Sequence, residues 1–385
     1  MSEEVLLMGP GPSPVSQRVL RALSRPLLGH LDPRFLQELD SVGDNLRLAF
    51  GSSARLTFPV SGTGSAAMEA AVVNLLWPGR TVLVLENGVF GERLTAMAQR
   101  AGAKVVRRTY PMGSPVDPED VRQALRESGA DVVAIVQAET STGVKSDVDA
   151  VASLARERGA QLIVDTVTSL GGMPVSMDAW NAAIVYSGSQ KCLGAPPGLG
   201  PISVADDALA GRPETSTVQS WYLDLGLIAR YVGTERLYHH TAPVSMVFAL
   251  GEALRALREE GLEERFLRHR KASAALRAGL GEFSLPSRVA PADLLPSLTV
   301  VTPPKESDEA ALRRELLLAE GIEIAGGLGP WKGQAWRIGT MGEGARLGSV
   351  LRTVQAIARV LRRDGRSASP AAAAQAATSA WEETQ

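Results

Sequence analysis

The sequence predicts an α/β protein with a largely parallel β-sheet covered by helices on both faces, followed by a smaller α+β region. Between residues 57 and 204, short β-branched runs alternate with stretches of helix length. The runs are apolar throughout, which is typical of strands buried on both faces of a parallel sheet. Beyond residue 244 the order of elements changes, so we expect a second region there.

The elements of the first region follow one another in a regular order. The predicted strands are "LTFPV", "TVLVLE", "AKVVRRTY", "DVVAIVQAE", "QLIVD", "AAIVY" and "GPISVA". The helices between them are "GSAAMEAAVVNLLWPG", "ERLTAMAQRAG", "PEDVRQALRESG" and "DVDAVASLARERG". Parallel strands joined in this way need right-handed crossovers. Ligands of such sheets bind where the strands end, so the residues just after each strand are the candidates for function.

A helix near residues 244–260 leads into the second region, where the signals follow the order β-α-β-β-α. The segments are "SLTVVTPP", "SDEAALRRELLLAEG", "IEIAGG", "AWRIGT" and "ARLGSVLRTVQAIARVLRR". Residues 364–385 are rich in alanine and poor in large apolar side chains, so we expect a disordered tail. The expected division is an N-terminal segment (1–20), a large domain (21–255), a small α+β domain (256–363) and this tail (364–385).

Composition excludes several classes of function. The 40 Lys and Arg residues balance 42 Asp and Glu residues, which disfavours a nucleic-acid-binding surface. The single cysteine, Cys192, excludes an intramolecular disulfide and a cysteine-rich metal site. No apolar run approaches the ~20 residues of a membrane-spanning helix, and the acidic N-terminus does not resemble a secretory signal. We therefore expect a cytoplasmic protein without nucleic-acid or membrane partners.

The stretch "VSGTGSAAMEAA" joins the first strand to the first helix and predicts an anion site. Its glycines let the backbone approach a ligand, and the helix start offers unpaired N–H groups and a positive dipole end. The stretch also fits G-x-G-x-x-A through Gly62, Gly64 and Ala67, with Glu86 ending the next strand, as in a dinucleotide fingerprint. A phosphate site, a dinucleotide site and a structural turn all remain open.

Three other strand ends carry polar groups. Asp165 ends "QLIVD" and, if buried, needs a cation or a donor such as a pyridinium N–H; alternatively it caps the following turn. The loop "QAETSTGV" is rich in hydroxyl and carboxylate groups. Lys191 follows "AAIVY", and a lysine whose pKa is lowered forms a Schiff base with a carbonyl. Taken alone, Lys191 fits a solvated loop residue better than a reactive amine.

Together these groups match pyridoxal phosphate (PLP). The anion site, the acid and the lysine correspond to its phosphate, its ring nitrogen and its aldehyde. A dinucleotide would use the first of these sites and leave Asp165 and Lys191 without a role. The sequence therefore favours PLP as the cofactor.

The order of motifs resembles the class V aminotransferases of the alanine:glyoxylate and serine:glyoxylate (serine:pyruvate) group. The shared motifs are "LLMGPGPSP", "SGTGS", "ENGVFGER", "ETSTGV", "DTVTSLGG", "SGSQKCLGAPPG", "YHHTAPV", "AGGLGP" and "WRIGTMGE". The resemblance implies fold type I, with a mainly parallel sheet of the seven-stranded type and a smaller C-terminal α+β domain. It also implies a homodimer with shared active sites, to which the N-terminal segment contributes.

The resemblance implies a role for each candidate residue. Lys191 is expected to form the Schiff base with PLP and to move the substrate proton, while Asp165 keeps the ring nitrogen protonated. The remaining cofactor contacts are expected from Thr63, Gly64, Ser65, Phe90, Thr140 and Gln190, and from Tyr238 and Thr241 of the neighbouring subunit. The substrate carboxylate is expected to bind Arg337, in a small pocket lined by Gly9 and Gly11.

Other residues invite different interpretations. His239 and His240 are adjacent, but neighbouring side chains point apart and no third ligand is near in sequence, so we expect no metal. Cys192 lies beside Lys191 and suggests a persulfide carrier, yet the desulfurase branch of this fold uses a cysteine in the C-terminal part, which is absent here. We therefore expect Cys192 to be a small buried residue. The aromatics Trp221, Tyr222 and Trp331 either narrow the entrance or serve as core and dimer contacts.

These observations predict a transaminase that moves an amino group from serine or alanine to glyoxylate or pyruvate by a ping-pong route. Two alternatives keep the PLP chemistry: a relative with another amine substrate, such as 2-aminoethylphosphonate or pyridoxamine, and a lyase. A nucleotide-binding oxidoreductase built on the glycine-rich stretch is the alternative from a different class, and a catalytically silent structural protein is the last.

Overall fold

The computed structural model describes residues 5–213 and 216–385. Its strands are Leu6–Leu7 (β1), Leu56–Ser61 (β2), Thr81–Glu86 (β3), Lys104–Thr109 (β4), Val132–Val136 (β5), Ala138–Glu139 (β6), Val144–Lys145 (β7), Gln161–Asp165 (β8), Ile184–Tyr186 (β9), Leu199–Val204 (β10), Leu298–Val301 (β11), Ile322–Glu323 (β12), Ala325–Gly326 (β13) and Trp336–Gly339 (β14). Residues 1–4 of the predicted N-terminal segment lie outside the described residues.

The helices alternate with these strands over the first region and cluster after it. They are Gln17–Leu23 (α1), Pro33–Phe50 (α2), Gly64–Leu75 (α3), Val89–Arg100 (α4), Pro118–Ser128 (α5), Val148–Glu157 (α6), Met177–Trp180 (α7), Leu225–Val232 (α8), Val244–Glu260 (α9), Leu262–Gly281 (α10), Glu309–Glu320 (α11), Leu347–Arg363 (α12) and Pro370–Glu383 (α13). No helix of the described ranges is long and apolar enough to cross a membrane.

The largest sheet contains seven strands in the order β2-β10-β9-β8-β5-β3-β4. Only β10 runs antiparallel to its neighbours; the other strands are mutually parallel. The predicted fold class, a mainly parallel seven-stranded sheet flanked by helices, is thereby confirmed. In this register Asp165 at the end of β8 lies beside Tyr186 on β9 and Val136 on β5, so three strand ends converge on one edge.

Helices cover both faces of the sheet because its side chains alternate in direction along each strand. On β3, Leu83 and Leu85 pack into the hydrophobic cluster that contains residues of α2, α5, α6 and α9. Val82 and Val84 of the same strand pack into the cluster formed with α3, α4 and α8. All four side chains are buried, which explains why the strand is apolar at every position.

Several helix ends follow from local sequence. Asp32 accepts a hydrogen bond from the Arg34 N–H and caps α2, which has Pro33 at its first position and ends at Gly51 in the left-handed region. Helix α5 repeats this pattern, with Asp117 as the cap, Pro118 first and Gly129 last. An aspartate cap, a first proline and a final glycine therefore delimit both helices, which pack on the same face of the sheet.

The second region is built on a three-stranded antiparallel sheet in the order β11-β14-β13. The predicted strand "IEIAGG" divides into two: β12 pairs in parallel with β1 near the N-terminus, and β13 pairs with β14. The N-terminal segment is thus attached to the second region. The expected boundary between residues 255 and 256 lies inside α9, which continues to Glu260; Gly261, at φ +83°, separates α9 from α10.

The expectation of a disordered tail is wrong for residues 370–383, which form α13. Ser369 accepts a hydrogen bond from the Ala372 N–H, Pro370 occupies the first helical position, and alanine favours the helix intrinsically. The helix packs against α10 and α12, burying Ala373 and Ala377. Small side chains at these positions allow a close approach, so a stretch poor in large apolar residues still docks.

Replacing Ala377 with aspartate is expected to destabilise the protein, because an uncompensated charge would be placed between α13 and the core beneath it. The expected loss in the free energy of unfolding is about 3 kcal/mol. The control is Gln375→Asp, at an exposed position of the same helix, for which we expect a change below about 0.5 kcal/mol. Denaturation followed by circular dichroism measures both; equal losses would contradict the docking of α13.

Candidate active site

A cavity of about 240 Å³ lies at the carboxyl edge of the large sheet. Its lining includes eight residues that the sequence predicted for a cofactor: Thr63, Gly64, Ser65, Phe90, Thr140, Asp165, Gln190 and Lys191. The other lining residues are Met68, Arg93, Val136, Ala138, Val167 and Thr168. Residues at or after the ends of β5, β8 and β9 and at the starts of α3 and α4 therefore meet at one place, as expected for a parallel sheet.

Lys191 reaches this cavity from the loop between β9 and β10. Burial lowers the pKa of its amine to about 8. The amine donates a hydrogen bond to the carbonyl of Pro10, and its own backbone carbonyl accepts from Ser13 Oγ at 2.9 Å. A Cβ atom on Gly11, which has φ +109°, would lie 2.5 Å from Lys191 Nζ. The N-terminal segment therefore lies directly against the lysine, and only glycine fits at position 11.

Asp165 is buried and hydrogen-bonded on both carboxylate oxygens. Oδ1 accepts from the Val167 N–H at 2.8 Å, and Oδ2 accepts from Tyr186 Oη at 2.9 Å. Burial nevertheless raises the pKa of the carboxyl group to about 6. Asp165 thus caps the following turn, as the alternative interpretation held, and also lines the cavity. Tyr186 was not predicted as a site residue, although it follows from the strand register that places it beside Asp165.

The start of α3 is the candidate anion site. Thr63 is its N-cap residue, but its side chain makes no capping hydrogen bond. A Cβ atom on Gly64 would lie 3.3 Å from Val167 Cγ2 and 3.4 Å from the Gly188 Cα, so the backbone is closely packed there. Gln190 Oε1 is buried without a hydrogen-bond partner in the part of the chain described. The N–H groups of the first helical turn and the hydroxyls of Thr63 and Ser65 form a donor set that fits a phosphate, and the amide N–H₂ of Gln190 is a further donor of the same loop edge.

Phe90 lies at the start of α4, where a buried carboxylate fixes the backbone. Glu139 Oε2 accepts from the N–H groups of Phe90 (3.1 Å) and Gly91 (3.3 Å). Burial raises the pKa of Glu139 to about 7. The Arg93 guanidinium lies 4.8 Å from the centre of the Phe90 ring and donates to Ser65 Oγ at 3.1 Å. Arg93 was missed; its position one helical turn after Phe90 was the signal available in "ENGVFGER".

Arg337 lies next to the cavity on β14 and is not among the residues that line it. Its Nε donates to the carbonyl of Gly326 at 2.7 Å, and its Nη1 donates to the carbonyl of Thr140 at 3.2 Å. Burial lowers the pKa of the guanidinium to about 10. Gly9 lies beside the same sheet, since a Cβ atom on it would be 4.0 Å from the Ala325 Cβ. Thr140 thus connects the cavity to the predicted carboxylate site.

Tyr238 and Thr241 are exposed and do not line the cavity of their own chain. The Tyr238 ring contacts His30, with ring centres 5.2 Å apart. Nearby, His239 Nδ1 and His240 Nδ1 are 2.8 Å apart, and His240 Nε2 lies 2.6 Å from Ser61 Oγ. No group of three or more His, Cys, Asp or Glu side chains in the described ranges could hold a metal ion.

The two remaining interpretations of the sequence are not favoured by the geometry. Glu86, required by the dinucleotide fingerprint, is buried and accepts hydrogen bonds from Arg107 and Thr95 outside the cavity. Cys192 is buried, its thiol donates to the Thr168 carbonyl at 3.3 Å, and burial raises its pKa to about 11. A protonated, enclosed thiol is a poor nucleophile.

A larger groove of about 570 Å³ is open to solvent between α2, β2 and α8. Its charged residues form ion pairs: Asp44 with Arg47, Arg55 with Asp206, and Asp40 with Arg236 close by. The smaller cavity, by contrast, gathers a lysine with a lowered pKa, an acid with a raised pKa and the N-terminus of α3. Perturbed groups that converge in this way mark the smaller cavity as the candidate active site.

The chain is similar to known proteins over most of its length. A family model described as Aminotransferase class-V matches residues 7–330. The solved alanine-glyoxylate aminotransferase of Nostoc sp. is 43% identical, covers 94% of this chain and 96% of its own, and gives a TM-score of 0.92. The ureidoglycine-glyoxylate aminotransferase of Bacillus subtilis is 36% identical, covers 100% of this chain and 99% of its own, and gives a TM-score of 0.96. The pyridoxamine-pyruvate aminotransferase of Mesorhizobium loti is 29% identical, covers 99% of this chain and 98% of its own, and gives a TM-score of 0.92. The chain therefore belongs to the class-V aminotransferase family and is a transaminase.

Proposed function

We propose that this transaminase uses PLP to move an amino group from a small L-amino acid, serine or alanine, to glyoxylate or pyruvate in a ping-pong reaction. The observation that carries the proposal is the position of the Lys191 amine, whose pKa is lowered to about 8, in one cavity with Asp165 and the anion site at α3. The similar proteins named above include enzymes whose names specify glyoxylate and pyruvate as acceptors.

The cavity offers a partner for each polar group of PLP. The α3 N-terminus, with Thr63, Gly64 and Ser65, would hold the phosphate with help from Gln190, while Asp165 would face the ring nitrogen. Phe90 would cover the ring and Thr140 would lie near its phenolic oxygen. When bound, PLP supplies an aldehyde that takes up the amino group and a ring that accepts electrons from the substrate. Every one of these residues lines the cavity.

Each of the protein's own groups has a separate role in the proposed reaction. The Lys191 amine, neutral in a large fraction of molecules near pH 8, accepts and returns the proton at the substrate Cα. Tyr186 and the Val167 N–H fix the direction of the Asp165 carboxylate. Arg337 binds the substrate carboxylate, where a guanidinium can make two parallel hydrogen bonds. Gly9 and Gly11 would line a pocket for a small substrate side chain; a Cβ atom on Gly11 would lie 2.5 Å from Lys191 Nζ, so this glycine is next to the amine.

A second copy of the chain is proposed to complete the site. Leu27, Trp221 and Tyr238 have exposed fractions of 72%, 64% and 62%, and Tyr222 and Leu237 are exposed nearby. A homodimer would cover this apolar surface and would bring Tyr238 and Thr241 to the phosphate of the partner's cofactor. Sedimentation of the protein as a single chain at micromolar concentration would contradict this arrangement.

Replacing Lys191 with arginine is expected to abolish covalent capture of PLP, because a guanidinium does not form the Schiff base. The wild-type protein should be yellow, and borohydride should fix the cofactor on the peptide that contains Lys191, as read by mass spectrometry. The control, Lys145→Arg, changes an exposed lysine and should remain yellow. In cofactor-free wild-type protein, the capture rate should rise with pH and level off above about pH 8, because the neutral amine is the nucleophile.

An apparent pKa near 10.4, the ordinary value for lysine, would contradict the proposed environment of Lys191. A colourless protein that fails to reconstitute with PLP but binds a nicotinamide dinucleotide would instead favour the oxidoreductase alternative.

The amino donor is tested by single half-reactions, in which a true donor removes the absorbance of the bound cofactor. We expect serine and alanine to do so faster than 2-aminoethylphosphonate or pyridoxamine, which lack an α-carboxylate for Arg337. They should also react faster than ureidoglycine, because the proposed side-chain pocket is small and the ureido group is larger than the side chain of serine or alanine. Conversion by pyridoxamine or ureidoglycine alone would replace serine and alanine by the donors named for the Mesorhizobium loti and Bacillus subtilis enzymes.

Replacing Arg337 with alanine is expected to raise the KM for serine or alanine by about 10- to 100-fold, the usual effect of losing a charge-assisted pair. The colour of the cofactor should remain, because Arg337 does not line the cavity. Arg314→Ala, at an exposed position of α11, is the matched control. An unchanged KM in the Arg337 variant would exclude it as the carboxylate site.

A further inference from the structure

Three charged side chains form a group behind Lys191, on the side away from the cavity. Arg265, in the first turn of α10, is 4% exposed, and its Nη1 donates to Glu260 Oε2 at 2.8 Å. Arg268 donates to both oxygens of the same carboxylate. Although burial opposes ionisation of Glu260, Arg268 and Arg265 lower the pKa of this carboxyl group to about 2. Glu260, Arg265 and Arg268 are called the ion triad below.

Arg265 joins two loops that each carry a residue of the active site. Its Nη2 donates to the carbonyls of Cys192 (2.7 Å) and Leu193 (3.3 Å), directly after Lys191. Its Nε donates to the carbonyl of Gly171 at 3.2 Å, in the loop that begins at Asp165. One planar, buried side chain therefore spans the loop of the lysine and the loop of the acid.

Arg268 extends these contacts to a third segment. Its Nη1 donates to the carbonyls of Gly342 (2.8 Å) and Ala345 (3.1 Å), which follow the strand of Arg337. Gly342 lies against the lysine loop, since a Cβ atom on it would be 3.1 Å from the Gly194 Cα and 3.4 Å from the Lys191 carbonyl oxygen. Glu260 binds both arginines. The ion triad therefore contacts the loop after Asp165, the loop of Lys191 and the segment after Arg337.

We propose that the ion triad sets the position of the Lys191 amine relative to Asp165 and Arg337, and that Arg265 is its main positioning residue. The proposal rests on the proposed function. Every acceptor that Arg265 uses outside the triad is a backbone carbonyl, so the side chain fixes the paths of the loops and does not touch the reacting groups. Such a fork of donors is specific to arginine, because lysine presents a single ammonium group.

The reason this contact affects catalysis is geometric. Proton transfer needs the amine within hydrogen-bond distance of the substrate Cα proton, and a displacement of about 1 Å can lower the rate roughly 100-fold. Loss of Arg265 would leave three buried carbonyls without their donor, and the two loops would then relax independently. A purely structural role would lower stability without changing the chemistry of the molecules that remain folded.

The test compares Arg265→Ala and Arg265→Lys with Arg277→Ala and Arg277→Lys. Arg277 lies on the same helix, is half-buried and bonds Ser273, which is not part of the site. Two quantities are measured on folded protein: the rate at which cofactor-free protein captures PLP at Lys191, and the primary isotope effect on kcat with α-deuterated alanine or whichever donor the half-reactions identify. Thermal midpoints are recorded for all variants.

For Arg265→Ala we expect capture about 10-fold slower, a kcat about 10- to 100-fold lower, a KM within about threefold of wild type and a larger isotope effect. Arg265→Lys should be intermediate, because it keeps the charge and cannot span both loops. Added guanidinium should restore part of the capture rate in Arg265→Ala. The Arg277 variants should change only the thermal midpoint.

Wild-type values of capture rate, kcat and isotope effect in the Arg265 variants would overturn the positioning role, whatever their thermal midpoints. If Arg265→Ala does not fold, Arg265→Lys decides by the same criteria. If the wild-type protein captures no PLP, the proposed function itself is overturned and this proposal loses its basis. If the wild-type protein captures PLP normally and the Arg265 variants do the same, only the positioning role is overturned.

Discussion

The burial of two ionisable groups, the amine of Lys191 and the carboxyl group of Asp165, is the constraint on which the arrangement of this protein depends. Removing charge from water costs free energy unless partners replace the lost hydration. The surrounding chain therefore supplies hydrogen-bond partners to each group. Tyr186 and the Val167 N–H donate to the acid, and the Pro10 carbonyl accepts from the amine. The parallel sheet makes this possible, because it brings strand ends that are distant in sequence to one edge.

The same constraint explains why so much of the chain around the site is held by backbone contacts. Ser13 binds the Lys191 carbonyl, Glu139 binds the N–H groups at the start of α4, and Arg265 binds carbonyls of two loops. Each of these side chains is itself polar and largely enclosed, so it both satisfies buried backbone groups and fixes their position. Side chains that do not line the cavity therefore fix the backbone of the residues that do.

Sequence reasoning found the parts of the site that depend on local pattern. Lys191, Asp165 and Thr63 follow strands or begin a helix, and that position alone makes them candidates. It missed Arg93, Tyr186 and Arg265, whose roles depend on contacts between segments far apart in the chain. Tyr186 ends an apolar run, and Arg265 lies in the charged segment "EERFLRHRK", so neither local pattern distinguishes these residues from their neighbours. The tail was misjudged because the sequence showed small side chains, while the surface that accepts them lies on α10 and α12.

The pairing of β1 with β12 has a consequence for the order in which the protein can form. Leu6 pairs with Ile322, more than 300 positions later, and the Pro10 carbonyl and Gly11 that contact Lys191 follow directly after β1. β1 thus acquires its partner strand only after the chain has been made as far as residues 322 and 323. Contacts between such distant segments close large loops and form late. The large sheet can assemble before this pairing, but the contacts of Pro10 and Gly11 with Lys191 are among the last to be completed.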